Sequence, residues 1–278
     1  MLLPPGPLPS HLPEAMRDVL PASEGRRFVG NCSGADVFRV GEGDEAVYLK
    51  THLDQAVGDA HPLAIESART AWLAGVIGED GPLVPRVLAF EQGSPQAGVG
   101  TWAYLATTAV PGRPLHDQMA DTPLRVARLV GRTLRMLHDV KPADTLKHRP
   151  IAAILAEADE RLGRGIVGSS LRQVQSERSL KKTLKRLTKR PIDDAERVVT
   201  HYDFCLPNVL AGLDDRTGLI DVGGLCLADR HLDLATAIRS LRFNGGRDDA
   251  VQVFLREYGQ DGVDAKRLDY FADLCEFL

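Results

Sequence analysis

Through the first third of the chain apolar residues alternate with polar ones, and beyond it they recur at helical spacing; that change of period divides the molecule. Arg27-Phe-Val-Gly30, Ala35-Asp-Val-Phe-Arg-Val40 and Ala46-Val-Tyr-Leu-Lys50 read as strands, the last two around a Gly/Asp-rich turn. His61-Pro62 opens a helix running to Gly75, since proline suits a first helical turn, and Ile65, Ala68 and Trp72 share one face. Strands are expected again over 82–90 and 101–108. The breaker cluster Ala109-Val-Pro-Gly-Arg-Pro114 then predicts a hinge.

Beyond the hinge, Thr122-Pro123 heads a run in which Val126, Val130, Leu134 and Leu137 fall at helical spacing. A second helix is expected over about 150–163, and a third carries Leu180, Leu184 and Leu187. A short β unit interrupts at 198–221. Helices resume from about 231, the last placing Leu268, Phe271, Cys275 and Leu278 on one face. The expected fold is therefore α+β and two-lobed. A strand-rich lobe takes 1–108, its proline-rich first twenty residues forming an extended arm, and a helix-rich lobe takes 109–278.

Composition narrows the function. Of 278 residues, 44% are hydrophobic and 26% charged, enough apolar material for a sizeable core without disulfide or metal staples. With 34 basic and 38 acidic side chains the net charge is −4, which argues against a dedicated nucleic-acid binder. Cys32, Cys205, Cys226 and Cys275 lack CxxC spacing, so neither a zinc site nor a disulfide framework is expected, and reduced thiols suit a cytoplasmic protein. No uncharged apolar run is long enough to span a membrane. Six positive charges between Ser179 and Arg190 read as the solvated side of a helix whose leucines form a narrow stripe.

The chemistry is concentrated in Val198-Val-Thr-His-Tyr-Asp-Phe-Cys-Leu-Pro-Asn208 and the hairpin that follows, with Val209-Leu-Ala and Leu219-Ile-Asp221 flanking an Asp-Asp-Arg-Thr-Gly turn. Folding that hairpin would set Asn208 beside Asp221, with Asp203 five residues upstream at the same end. An amide oxygen and a carboxylate are hard ligands of the kind magnesium takes while it binds nucleotide phosphates. The remaining carboxylate is free to orient an attacking hydroxyl, the division of labour phosphoryl transfer needs. Each residue alone is an ordinary turn former. Jointly, His-x-Asp-x4-Asn followed thirteen residues later by Asp-x-Gly is a far more specific pattern.

This pattern resembles the kinase catalytic and magnesium loops in the form found in aminoglycoside phosphotransferases. The stretch from Val198 through Leu241 looks most like the aminoglycoside 3'-phosphotransferases. Ser33–Val40, Leu49-Lys50, Glu66–Gly75, Val110-Pro-Gly and the terminal helix extend the likeness over most of the chain. The resemblance implies a protein-kinase-like fold, ATP and Mg2+. By it Asp203 is the catalytic aspartate, Asn208 and Asp221 hold the metal, and Lys50 reaches the α- and β-phosphates with Glu66 as its ionic partner. The turn containing Ser33 covers the phosphates, although no GxGxxG or P-loop is present. Thr107 lies beside adenine, whose edge meets the backbones of Thr108 and Val110. His201 and Asp233 brace the catalytic loop. Tyr202 departs from the family, which usually has glycine there.

Aminoglycosides are polycations, and the known enzymes meet them with carboxylates. Residues 164–178 here carry almost none, and Cys275 replaces the acidic neighbour of Glu276, the one match to a substrate-binding carboxylate; Glu157, Asp159 and Glu160 could compensate in part. The expected function is an ATP-dependent O-phosphotransferase acting on a small molecule, the 3'-hydroxyl of an aminoglycoside, as in antibiotic resistance. A kinase of another sugar, amino alcohol or antibiotic would keep the same nucleotide residues. A nucleotide-binding pseudokinase is disfavoured, because Lys50, Glu66, Asp203, Asn208 and Asp221 are all present.

Overall fold

The structure is a computed structural model that describes residues 2–9, 11–22, 24–28, 34–54, 60–93, 100–167, 176–194 and 196–278. It divides into two compact units, the first comprising 1–112 with 218–223 and the second 113–217 with 224–278.

The first unit contains β1 (Leu2–Gly6), α1 (Glu14–Val19), β2 (Gly25–Phe28), β3 (Asp36–Val40), β4 (Val47–Asp54), α2 (Pro62–Val76), β5 (Val87–Gly93) and β6 (Thr101–Thr108). The strands form one antiparallel sheet in the order β1-β2-β3-β4-β6-β5. Alternation along β4 assigns its side chains to opposite faces. Val47 and Leu49 join Phe38, Val40 and Ala106 on one face, which α1 covers through Met16 with Leu12 just ahead of it. The proline-rich arm is thus a strand and a helix anchored in the core, where the sequence suggested only extended chain.

Lys50 lies opposite Leu105 in the β4–β6 ladder, so it belongs to the other face, where Leu105 and Ala103 cluster with Leu63 of α2. The buried residues of α2 are Leu63, Thr70 and Leu73. That corrects the apolar stripe Ile65, Ala68 and Trp72 expected from the sequence, of which none is fully buried and Ala68 is exposed. The buried positions share a face with Glu66, and the ion pair of Glu66 with Lys50 accounts for the choice: turning the apolar stripe inward would leave a cation over the sheet without its partner.

The second unit contains β7 (Arg113–Pro114), α3 (Pro123–His138), α4 (Ile151–Gly163), α5 (Glu177–Lys189), β8 (Val198–Thr200), β9 (Val209–Ala211), most of its residues beyond β11 (Cys226–Ala228) in α6 (His231–Phe243), α7 (Asp248–Tyr258) and α8 (Ala265–Leu274). β7 pairs with β9, and β8 with β11, both antiparallel. The expected hairpin is present, closed by Gly212 N–H donating to the Arg216 carbonyl, and its return arm is β10 (Thr217–Leu219). Ile154, Ala158, Leu180, Leu184, Leu187, Phe271 and Leu274 make a core between α4, α5 and α8, so the α5 leucines are buried while Lys181, Lys182 and Lys185 stay exposed.

α3 packs against α7 at Gly131, where a Cβ would lie 2.5 Å from the Phe254 carbonyl oxygen and 3.1 Å from the Tyr258 nitrogen. Those obstacles are backbone and cannot swing aside. Gly131→Ala, a change that favours an isolated helix by about 1 kcal/mol, is expected to destabilise the protein by about 1–3 kcal/mol through overpacking. A lowered urea midpoint would show it; an unchanged or raised midpoint would mean the helices can separate at no cost.

Candidate active site

In the first unit the site is built around Lys50. Its Nζ donates to Glu66 Oε1 at 2.6 Å and to Asp221 Oδ1 at 2.7 Å. The Lys50 and Glu66 side chains are 18% and 13% exposed, whereas Asp221 is 43% exposed, so part of the Asp221 carboxylate faces outward. Burial by itself would push the Lys50 ammonium down, but the two carboxylates outweigh it and the pKa is raised. Lys50 therefore stays charged.

Asp221 belongs to a stretch of late sequence, 218–223, that is integrated into this unit. Leu219 N–H donates to the Leu83 carbonyl at 2.8 Å, next to a parallel bridge between Leu83 and Gly218. Asp221 itself has φ +59°, a left-handed conformation that aims its side chain out of the strand direction. Two residues on, Gly223 lies where a Cβ would come within 3.2 Å of Glu66 Cβ, and its carbonyl accepts from Arg69. Any side chain at 223 would press on the Lys50 partner.

At the end of β6, Thr108 N–H donates to the Arg86 carbonyl and its Oγ1 accepts from Arg86 N–H, both at 2.9 Å. The Thr108 N–H is thereby spent within the unit. Val110 is buried and packs on Gly218, at a position where no side chain could be added. Ser33, the expected phosphate-loop hydroxyl, lies outside the described residues.

In the second unit β8 delivers His201, Tyr202 and Asp203 into a loop organised by the fully buried Asp233 of α6. Asp233 Oδ2 accepts from His201 N–H at 2.6 Å and Oδ1 from Tyr202 N–H at 2.9 Å. A third partner, His138 Nε2, lies 3.3 Å from Oδ2 while its Nδ1 lies 2.8 Å from the Tyr258 hydroxyl, which also accepts from Arg230. A carboxylate only accepts, so Nε2 carries the hydrogen and Nδ1 takes the phenolic one. Farther along, Leu206 N–H donates to Ser240 Oγ, and Asn208 Nδ2 donates to the Asp203 backbone carbonyl at 2.9 Å and to its Oδ2 at 3.0 Å. Asn208 thus fixes the Asp203 carboxylate and keeps its own amide oxygen turned elsewhere. An amide oxygen is a hard donor of the kind a magnesium ion takes.

The acceptor candidates have other partners. Glu157 Oε2 accepts from Arg149 and from the Tyr202 hydroxyl, each at 2.5 Å. Glu160 is exposed and pairs with Arg164 at 3.1 Å. Glu276 is half-buried between Cys275 and Phe277, and burial pushes the Cys275 thiol up to about 11, so it is an inert packing group. Most of the carboxylate-poor 164–178 segment lies outside the described residues. Glu196, Asp229 and His231 cluster closely, but Arg230 and Arg267 neutralise the carboxylates and both His231 nitrogens are engaged, by Asp229 and by Asp264 N–H. That cluster is a structural network with no room for a cation's charge.

Sequence reading missed Arg69, Arg149, His138, Tyr258 and Ser240. Arg69 follows Glu66 by three residues and so shares its helix face, a signal that was available. The others come from segments far from the loop they support, and nothing local marks them.

A family model described as the phosphotransferase enzyme family matches residues 25–270, and the chain belongs to that family. Its fold is accordingly α+β and protein-kinase-like, and it is a phosphotransferase. The chain is similar to the aminoglycoside 3'-phosphotransferase of Streptomyces fradiae, at 32% identity over 265 residues covering 88% of this chain and 91% of that one. It is as similar to the streptomycin 3''-kinase of Streptomyces griseus, at 33% identity over 255 residues covering 87% and 88%. The crystal structure of an aminoglycoside-3'-phosphotransferase of type VIII matches with a TM-score of 0.72 at 31% identity, covering 95% of this chain and 97% of that one.

Because Asp233 gathers two loop amides and an imidazole N–H, Asp233→Asn would set an amide NH2 against at least one of those donors. A loss of about 3 kcal/mol is expected, read by urea unfolding, together with near-complete loss of turnover. Unchanged stability would remove Asp233 from the centre of the loop.

Proposed function

We propose that this protein transfers the γ-phosphoryl group of ATP to a hydroxyl of an aminoglycoside, the 3'-hydroxyl being the first to test. The observation that carries the reading is Lys50 held charged between Glu66 and Asp221, since a desolvated, oriented cation beside an outward-facing carboxylate suits a nucleotide triphosphate with its metal. Lys50 serves the α- and β-phosphates, Glu66 keeps it aimed, and Ser33 adds a hydroxyl over them. The adenine amino group donates to the Thr108 carbonyl, the group left once its N–H is spent on Arg86, and the ring accepts from Val110 N–H. Asn208 and Asp221 hold Mg2+, which when bound neutralises charge on the transferring phosphoryl group.

Asp203 accepts a hydrogen bond from the attacking hydroxyl and takes its proton as the new phosphate ester forms, with ADP leaving. Asn208 restrains the carboxylate through its amide N–H, so the acceptor oxygen meets one orientation of the base. Glu276 and Glu160 are the carboxylates assigned to draw in the polyamine. Near-equal likeness to a 3'-phosphotransferase and to a streptomycin 3''-kinase makes the 3''-hydroxyl the second reading. Among the described residues no helix is long and apolar enough to cross a membrane, and we assign the reaction to the cytoplasm, where ATP is abundant.

Magnesium-dependent ADP release with kanamycin, a matched 3'-deoxy aminoglycoside and streptomycin decides among these. Turnover with kanamycin and not with the 3'-deoxy compound is expected, and Asp203→Ala should lower kcat by about a hundredfold or more. Turnover with streptomycin alone would move the transfer to the 3''-hydroxyl. Turnover with none of the three would point to another small hydroxyl compound, and full activity of Asp203→Ala would refute the assigned base.

A further inference from the structure

Tyr202 sits immediately before Asp203 with φ +76°, in the left-handed region that is strained for any residue with a Cβ. Its backbone N–H is fixed by Asp233, and its side chain is half-buried against the α4–α5–α8 core. The Arg149 guanidinium lies over the ring, 4.3 Å from its centroid, and the phenol donates to Glu157 Oε2 at 2.5 Å. Arg149 completes a closed triad by donating to the same oxygen at 2.5 Å, and its own backbone N–H is tied to the Leu227 carbonyl of β11 at 2.8 Å. The other Glu157 oxygen faces Arg161 at 4.0 Å.

Two consequences follow. A strained residue next to a catalytic carboxylate persists only where its surroundings hold it, and here Asp233 holds the backbone while Glu157 and Arg149 hold the side chain. Moreover, two arginines face one carboxylate, so Glu157 presents no net negative charge to an incoming cation.

We propose that Tyr202 is a positioning residue: the Arg149–Tyr202–Glu157 clamp holds the Asp203 loop in its left-handed conformation, and it does so by withdrawing Glu157 from recognition of the acceptor. The proposal rests on the phosphotransferase reading for its kinetic readout, but not for the clamp itself. Burial, reinforced by the Glu157 carboxylate, pushes the Tyr202 phenol well above the ordinary range, which gives the clamp a spectroscopic signature.

The test compares the full-length protein with Y202F, E157Q, Y202G and Y202G/E157Q, using MgATP and kanamycin. Y202F and E157Q are each expected to lower kcat by about three- to tenfold, the scale of one ordinary net hydrogen bond, with the kanamycin KM within about twofold. In Y202G, where left-handed backbone carries no Cβ penalty, E157Q should cost nothing further. A rise of about tenfold or more in KM for E157Q at unchanged kcat would make Glu157 an acceptor ligand and overturn the proposal. So would an equal loss of kcat from E157Q in both backgrounds.

An alkaline ultraviolet titration needs no substrate. The difference between the protein and Y202F isolates Tyr202, which should show no ionisation near pH 10, the ordinary phenol value; the difference between E157Q and Y202F/E157Q should show its ionisation moved to lower pH, with burial still holding it above the ordinary value. A Tyr202 that ionises normally in the unaltered protein refutes the clamp. If kanamycin is not phosphorylated by any form, the acceptor assignment fails, and the titration with slow acceptor-free ADP release still judges the clamp.

Discussion

A lysine on the inner face of a β-sheet is tolerated only if carboxylates meet it there, and the first unit is arranged around that requirement. Strand alternation puts Lys50 on the same face as Leu105, under α2. Glu66 must then point down, so α2 buries Leu63, Thr70 and Leu73 and leaves its larger apolar stripe partly in water. The second carboxylate, Asp221, comes from sequence 171 residues away, and hydrogen bonding of Leu219 to Leu83 brings that segment into the unit. A charge that would be costly alone becomes the anchor for one helix and one distant loop.

The second unit shows the same logic with the sign reversed. Asp233 is fully buried, and it is stable there because the donors around it are backbone amides of the loop that carries Asp203 and an imidazole oriented by Tyr258. Such a network is rigid when its members are satisfied, and both Asp233 oxygens are. The loop geometry is thereby set by the fold itself. Tyr202 adds a tether of its own in a place where its backbone conformation would suit glycine better.

Much of the fold was legible because periodicity reports burial directly. The strands around Lys50, the α3 run and the α5 leucine stripe all follow from it. The proline-rich arm misled, since proline at the head of a helix and proline in an extended strand look alike locally; only the burial of Met16 against the sheet separates them. On α2 hydrophobicity pointed to Ile65, Ala68 and Trp72, and an ion pair with a residue on another strand overruled it.

The spacing of His201, Asp203, Asn208 and Asp221 pointed to phosphoryl transfer, because that set of side chains at fixed intervals around a hairpin is far more specific than any one of them. What the sequence by itself determined is therefore which atoms are available: the cation, the carboxylates, the amide and the strands that carry them. Their partners were decided by the tertiary structure. Whether Glu157 faces solvent or is closed off by Arg149 and Tyr202, and whether Asp233 sits on a surface or under three donors, depends on contacts between segments tens of residues apart. Local sequence holds no record of such contacts, since the energy that selects them exists only once the chain has packed and excluded water.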